Sequence, residues 1–201
     1  MPADGQVRER VYRAIKQKLA EGEFALDQHL DLSGLCSTLK TSPTPVKEGL
    51  VRLSGERLVV ATRRGFEVAR WTATELRELY EWRQSLLLMA LDSMSPRALP
   101  APIPSSPYAQ KVRQLLAAAE ASANGELRHA ANNADDRLGY ARLVEPDLWP
   151  DVSEELDDLR AALTSGSGGA RQGLRIYFTR RIEAAQAIRD RAVVRSHPNG
   201  S

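Results

Sequence analysis

The chain has 201 residues, 42% hydrophobic, 27% charged and 5% aromatic, with a formal net charge of +2. That balance lies far from disordered and from membrane-spanning compositions, and the length allows one substantial core or two small ones. No run of about 18 apolar residues and no basic-then-apolar leader occurs, and the single cysteine, Cys36, argues against a disulfide framework or a thiolate metal cluster, so a cytosolic protein is expected with no membrane partner.

Charge is unevenly placed. Residues 1–71 carry twelve Lys/Arg against nine Asp/Glu, and between Lys40 and Arg70 the balance is seven to three. That is the sign a phosphate-facing surface requires, although a solvated face can carry it as well.

In chain order, Val7, Val11, Ile15 and Leu19 fall at four-residue steps, one stripe of an amphipathic helix that ends near Gly22. Leu32, Leu35, Cys36 and Leu39 give a second helix of about two turns, with Cys36 read as a small buried apolar residue. After a break at Lys40-Thr41, Ser42 suits an N-cap and Pro43 the first helical position, and Pro45 still lies in the first turn, where N–H groups have no intrahelical partner. The third helix then buries Val46, Gly49, Leu50 and Leu53 and turns Thr44, Lys47, Glu48, Val51 and Arg52 to other sides. Leu58 to Thr62 and Phe66 to Arg70 read as two short strands joined through Arg63-Arg64-Gly65. Three short helices and a basic hairpin make a winged helix-turn-helix, whose third helix is expected in a DNA major groove.

The run PTPVKEGLVRL followed by LVVATRRGFEV resembles the GntR family of bacterial transcription regulators, over roughly residues 7 to 70. Ser42, Thr44, Pro45, Val46, Glu48 and Leu50 match that family's Ser-Arg-Thr-Pro-Val-Arg-Glu-Ala-Leu signature outright. Lys47 replaces an arginine and Gly49 an alanine, Pro43 stands where an arginine is usual, and Arg57 stands where a glycine usually precedes Leu58-Val59. The resemblance and the winged-helix reading together imply DNA contacts from Ser42, Thr44, Lys47 and Arg52 and from the wing residues Arg63, Arg64 and Gly65. One such domain reads only a few base pairs, so a homodimer on a palindromic double-stranded operator is expected.

From Trp71 the pattern is helical. Thr72 and Thr74 can cap a long helix with Leu76, Leu79, Tyr80, Leu86, Leu87, Ala90, Leu91 and Met94 on its apolar side. Five prolines between 96 and 107 read as a stiff extended loop. Further helices are predicted around Val112 to Ala119, Leu127 to Leu138, Val152 to Leu163 and Leu174 to Ile188, with Ser165 to Gly169 a flexible turn. The expected fold class is therefore mainly α: a winged helix-turn-helix of three helices and a β-hairpin over residues 1–71, an all-α bundle over 72–195, and a tail at 196–201.

The run TELRELYEWRQSLL resembles the first helix of the effector domain in the FadR-like branch, where a Leu-Tyr-x-x-Arg run is common. Many such relatives hold a divalent metal with one aspartate and three histidines. Here only His29, His129 and His197 exist, and the position four after Asp135 is Gly139, so no metal or other cofactor is expected. Arg83 falls in line with Leu76, Leu79, Tyr80 and Leu87, and a buried guanidinium needs a partner. That partner is either the carboxylate of a small effector, with His129, Asp135 and Arg175 as further candidates, or an acid of the chain such as Asp135 or Asp136; a snorkelling side chain is the third reading. No catalytic constellation is present and the acidic run PDVSEELDDL reads as the solvated face of a helix, so an enzyme is not expected. The alternatives to an effector-modulated DNA-binding regulator are a regulator without a small ligand and a helical adaptor whose winged helix does not touch DNA.

Overall fold

The computed structural model describes residues 2–92, 99 and 105–197, the side chains from residue 5 onward. These residues divide into two compact units, one ending at Arg70 and the other running from Trp71 to Arg195. Met94 and most of the proline-rich segment lie outside the described residues.

In the N-terminal unit, α1 (Pro2–Ala20) starts five residues before the predicted stripe and stops two residues before Gly22, whose φ of +72° reverses the chain. Helix α2 (Leu32–Leu39) is capped by Asp31, whose carboxylate accepts from the Ser33 and Gly34 N–H groups. Helix α3 (Pro43–Gly55) buries Val46, Gly49, Leu50 and Leu53 as expected, and Pro45 with them. Gly49 faces α1 with room to spare: a Cβ there would lie 3.5 Å from the Tyr12 Cα, an ordinary contact. Cys36 is half-buried, because α2 is only eight residues long and its inner face is taken by Leu35 and Leu39.

The wing pairs β1 (Val59–Thr62) with β2 (Gly65–Val68), with Val59 opposite Val68 and Thr62 opposite Gly65. Both strands are shorter than the sequence suggests. The segment before α2 adds a third, irregular edge: the Leu30 N–H donates to Phe66 O and the Val68 N–H to Gln28 O, satisfying backbone that a free hairpin would leave to water. Gly65 has φ +126°, and a Cβ there would meet His29 Cε1 at 3.2 Å, so the turn needs glycine for its backbone and for its neighbour.

Among the described residues the second unit holds the helices α4 (Ala73–Leu91), α5 (Tyr108–Ala119), α6 (Gly125–Arg137), α7 (Gly139–Leu148), α8 (Val152–Thr164), α9 (Ser167–Glu183) and α10 (Ala185–Ser196). Thr72 caps α4 in a reciprocal box, its hydroxyl accepting from the Glu75 N–H while the Glu75 carboxylate accepts from the Thr72 N–H. Helix α4 packs on α6 and α9, and α9 on α8. A Cβ at Gly173 would stand 2.4 Å from the Ala162 Cβ, so α8 and α9 meet at a distance only glycine allows. Three features differ from the sequence reading. Helix α7, which the sequence pattern did not predict, carries Pro146 in its last turn, where proline removes the N–H that would bond the Arg142 carbonyl. The expected turn at 165–169 contracts to Ser165-Gly166, with φ +100° at Gly166. The single last helix breaks at Ala184 into α9 and α10.

Candidate nucleic-acid interface and the buried ion network

The first turn of α3 has an unusual donor inventory. Ser42 is the N-cap by position, with φ −76° and ψ 166°, yet its hydroxyl makes no capping bond. The reason is covalent: Pro43 and Pro45 have no N–H, and Pro45 sits at the third position, one of the two a cap normally reaches. Thr44 and Val46 keep the only N–H groups of that turn. The outward face of α3 carries Pro43, Thr44, Lys47, Glu48, Val51 and Arg52 around one shallow depression.

These side chains are not equally available. Glu48 is paired with Arg8 at 3.2 Å. Arg52 donates to Glu9 at 2.8 Å and lies 3.5 Å from the centre of the Tyr12 ring, while Tyr12 donates to Glu56 at 2.7 Å. Arg52, assigned to DNA from its position, is thus half committed to fastening α3 onto α1. Hydrogen bonds from Arg52 and Arg13 hold the Glu9 carboxyl below its usual range against a small effect of burial. Lys47 on α3 and Arg63 and Arg64 at the wing tip are exposed, and among the described residues their side chains make no ion pair. Val51, 56% exposed, is an apolar side chain on the same face one turn beyond Lys47.

Residues 7–68 match the family model of bacterial regulatory proteins, gntR family. They are a GntR family DNA-binding domain. A curated relative of this GntR domain, the HTH-type transcriptional repressor GlaR of Escherichia coli (strain K12), is 33% identical over 79 residues, which is 39% of this chain and 36% of that repressor. The match thus spans about a third of the repressor's length. Two solved structures share the fold beyond the GntR domain: E. coli McbR/YncC, with a TM-score of 0.69 at 20% identity, and a putative transcriptional regulator GntR from Rhodococcus sp. RHA1, with 0.66 at 19%. Each alignment covers 90% of this chain and 97% of the other. A winged helix-turn-helix joined to a helical unit is therefore the architecture of this chain.

The helical unit encloses charge. Arg83 is fully buried and uses its whole fork: Nε and Nη2 donate to the two oxygens of Asp135 at 2.8 and 2.9 Å, and Nη1 donates to Glu120. Arg142 donates to the same Asp135. Asp136 pairs with Arg113 at 2.6 Å. Of the readings open for Arg83, an acid of the chain is what it meets, and Asp135 is that acid together with Glu120, which the sequence reading did not single out. Beside them, Arg181 binds Glu155 at 2.8 and 3.0 Å and Glu145 at 3.0 Å, and Glu145 also accepts from Tyr80 and Tyr108. Glu155, from the run read as a solvated helix face, is turned inward by this bond.

His129 and Arg175 are exposed, apart from that buried cluster. The donor set does not fit a divalent metal: Asp135 is already counter-ion to two guanidiniums, and among the described residues no group of three or more His, Cys, Asp or Glu is placed to hold one. Among the described residues no helix is long and apolar enough to cross a membrane.

Proposed function

We propose that this chain is a transcription regulator that binds double-stranded DNA through α3 and the wing, as a homodimer on a two-fold related operator. The observation that carries the reading is the set of exposed, unpaired basic side chains on the winged-helix elements expected to meet a duplex: Lys47 on α3 and Arg63 and Arg64 on the wing. Thr44, Lys47 and Val51 are the proposed base-edge and phosphate contacts, Ser42 a phosphate contact through its uncapped hydroxyl, and Arg63 and Arg64 the backbone or minor-groove contacts. Arg52 is proposed to contribute mainly by holding α3. The two domains of this regulator are proposed to divide between Arg70 and Trp71, one residue before the boundary expected from the sequence.

The helical unit is proposed to be the regulatory half. A carboxylate effector on Arg83 would have to displace Glu120 or Asp135, and that saturation favours a regulator that needs no small ligand. Fluorescence titration against the DNA upstream of its own gene, beside a scrambled duplex and with sedimentation to count protomers, tests the reading. Preference for the upstream DNA by a dimer is expected. Equal, weak binding to both duplexes would instead leave an adaptor whose winged helix does not read DNA.

A further inference from the structure

The outward face of α3 holds few groups able to read a base edge by hydrogen bonding. Guanine is read by a free arginine or lysine and adenine by asparagine or glutamine, whereas the thymine methyl takes an apolar contact. Around the depression on α3 stand Pro43, Thr44, Lys47, Glu48, Val51 and Arg52, with no asparagine or glutamine among them. Glu48 is paired with Arg8 and Arg52 with Glu9, and Pro43 brings no side-chain donor. What remains is one exposed cation, Lys47, between the exposed methyl-bearing side chains of Thr44 and Val51. Val51 is 56% exposed, although Val46, Leu50 and Leu53 of the same helix are fully buried. Positions 44, 47 and 51 follow one another at steps of three and four residues, so they form a single stripe along the helix.

We propose that this stripe reads thymine methyl groups, so that the preferred DNA carries two thymines beneath each α3, one under Thr44 and one under Val51. Seven residues of α-helix rise ~10.5 Å. Successive base pairs rise roughly 3.4 Å, which puts the two thymines about three base pairs apart where the helix lies along the major groove. The surrounding charge suits that occupant. Lys47 stands within the stripe and Arg63 and Arg64 on the wing, and an apolar strip flanked by cations matches a groove floor of methyl groups between two phosphate backbones. Cytosine lacks the methyl, so the apolar contact itself discriminates between the two pyrimidines. The inference rests on the reading that α3 meets DNA, and adds which bases it prefers.

The probe is the duplex that the full chain enriches from a random-sequence pool, prepared with thymine or with deoxyuridine throughout, which removes every 5-methyl group and keeps the base pairing. Its core should carry thymines about three base pairs apart. Binding is measured by fluorescence titration over a salt series for wild type and Val51→Ser. Each lost methyl contact should cost about fourfold, so wild type should bind the deoxyuridine duplex roughly tenfold or more weakly. The salt slope should be the same for both duplexes, since no phosphate contact changes. Val51 is exposed, so Val51→Ser should keep the wild-type melting temperature, and its loss between the two duplexes should shrink to about fourfold. A core without such thymines, equal affinity of wild type for both duplexes, or an undiminished loss in Val51→Ser would overturn the inference while leaving DNA binding in place. Failure to enrich any duplex would overturn it together with the operator reading.

Discussion

The Arg52 guanidinium lies 3.5 Å from the centre of the Tyr12 ring, a contact that stitches the outward side of α3 to α1 across forty residues of sequence. A cation held on a ring face and bonded to Glu9 has little freedom left for a phosphate. Arg52→Ala should lower the stability of the winged helix by ~0.5–1 kcal/mol, the worth of such a contact at an exposed site. Urea unfolding measures it. The salt dependence of DNA binding should change less in this variant than in Lys47→Ala, and the reverse order would return Arg52 to the interface.

Arg57 adopts φ +60°, the left-handed conformation, at the position before Leu58-Val59 where GntR relatives usually carry glycine. An L-residue there gives up roughly 1 kcal/mol to the contact between its Cβ and the backbone. Arg57→Gly should therefore stabilise the winged helix slightly, by up to about 0.5 kcal/mol once the added unfolded-state entropy is counted. A fall in melting temperature would contradict it.

Two glycines should answer in opposite directions. At Gly49 a Cβ meets only ordinary contacts, the nearest at 3.5 Å, so Gly49→Ala should gain about 1 kcal/mol from helix propensity. At Gly173 the new Cβ would stand 2.4 Å from that of Ala162, and Gly173→Ala should cost ~1–3 kcal/mol as α8 and α9 are pushed apart. Denaturant midpoints of the two variants check both signs.

The buried acids set a pH dependence. Because the Glu120 carboxyl is raised by burial and by Asp135, its contribution is complete below its ordinary value of 4.5 and is lost as pH rises through the folded value. Stability should therefore increase from neutral pH toward pH 5 relative to Glu120→Gln, in which the dependence is absent. Asp135 has the opposite sign: its contribution is present above its ordinary 3.8 and disappears as pH falls toward about 2. The unfolding free energy of wild type should rise relative to that of Glu120→Gln as pH falls from 7 toward 5, and a difference that stays constant would refute the assignment.

Much of the fold is written in local pattern. The prolines at 43 and 45 mark the start of α3 because only a first turn tolerates them, and the apolar stripes of α1, α4, α5 and α8 are one-sided enough to place. Helix α7 is not legible: Gly139 and Pro146 weaken its propensity, and its buried positions include the charged Arg142 and Glu145. The buried network was readable only in part. Arg83 on an apolar face demands an acid, and Asp135 was one of those at hand, but nothing local in the sequence says that Glu120, 37 residues from Arg83, turns inward. Arg52 fails for the same reason, since its partners Tyr12 and Glu9 lie on a different helix. Pairings across long sequence separation are decided by packing, which periodicity does not encode.

The most direct test is the salt dependence of binding to the DNA upstream of the chain's own gene, comparing wild type with Lys47→Ala and with Arg63→Ala/Arg64→Ala. Each released phosphate contact removes roughly 0.9 from the slope of log affinity against log salt, so the slope should fall by about one unit for Lys47→Ala and about two for the wing variant, with melting temperatures nearly unchanged. Slopes equal to that of wild type in both variants would contradict the proposal that α3 and the wing hold DNA.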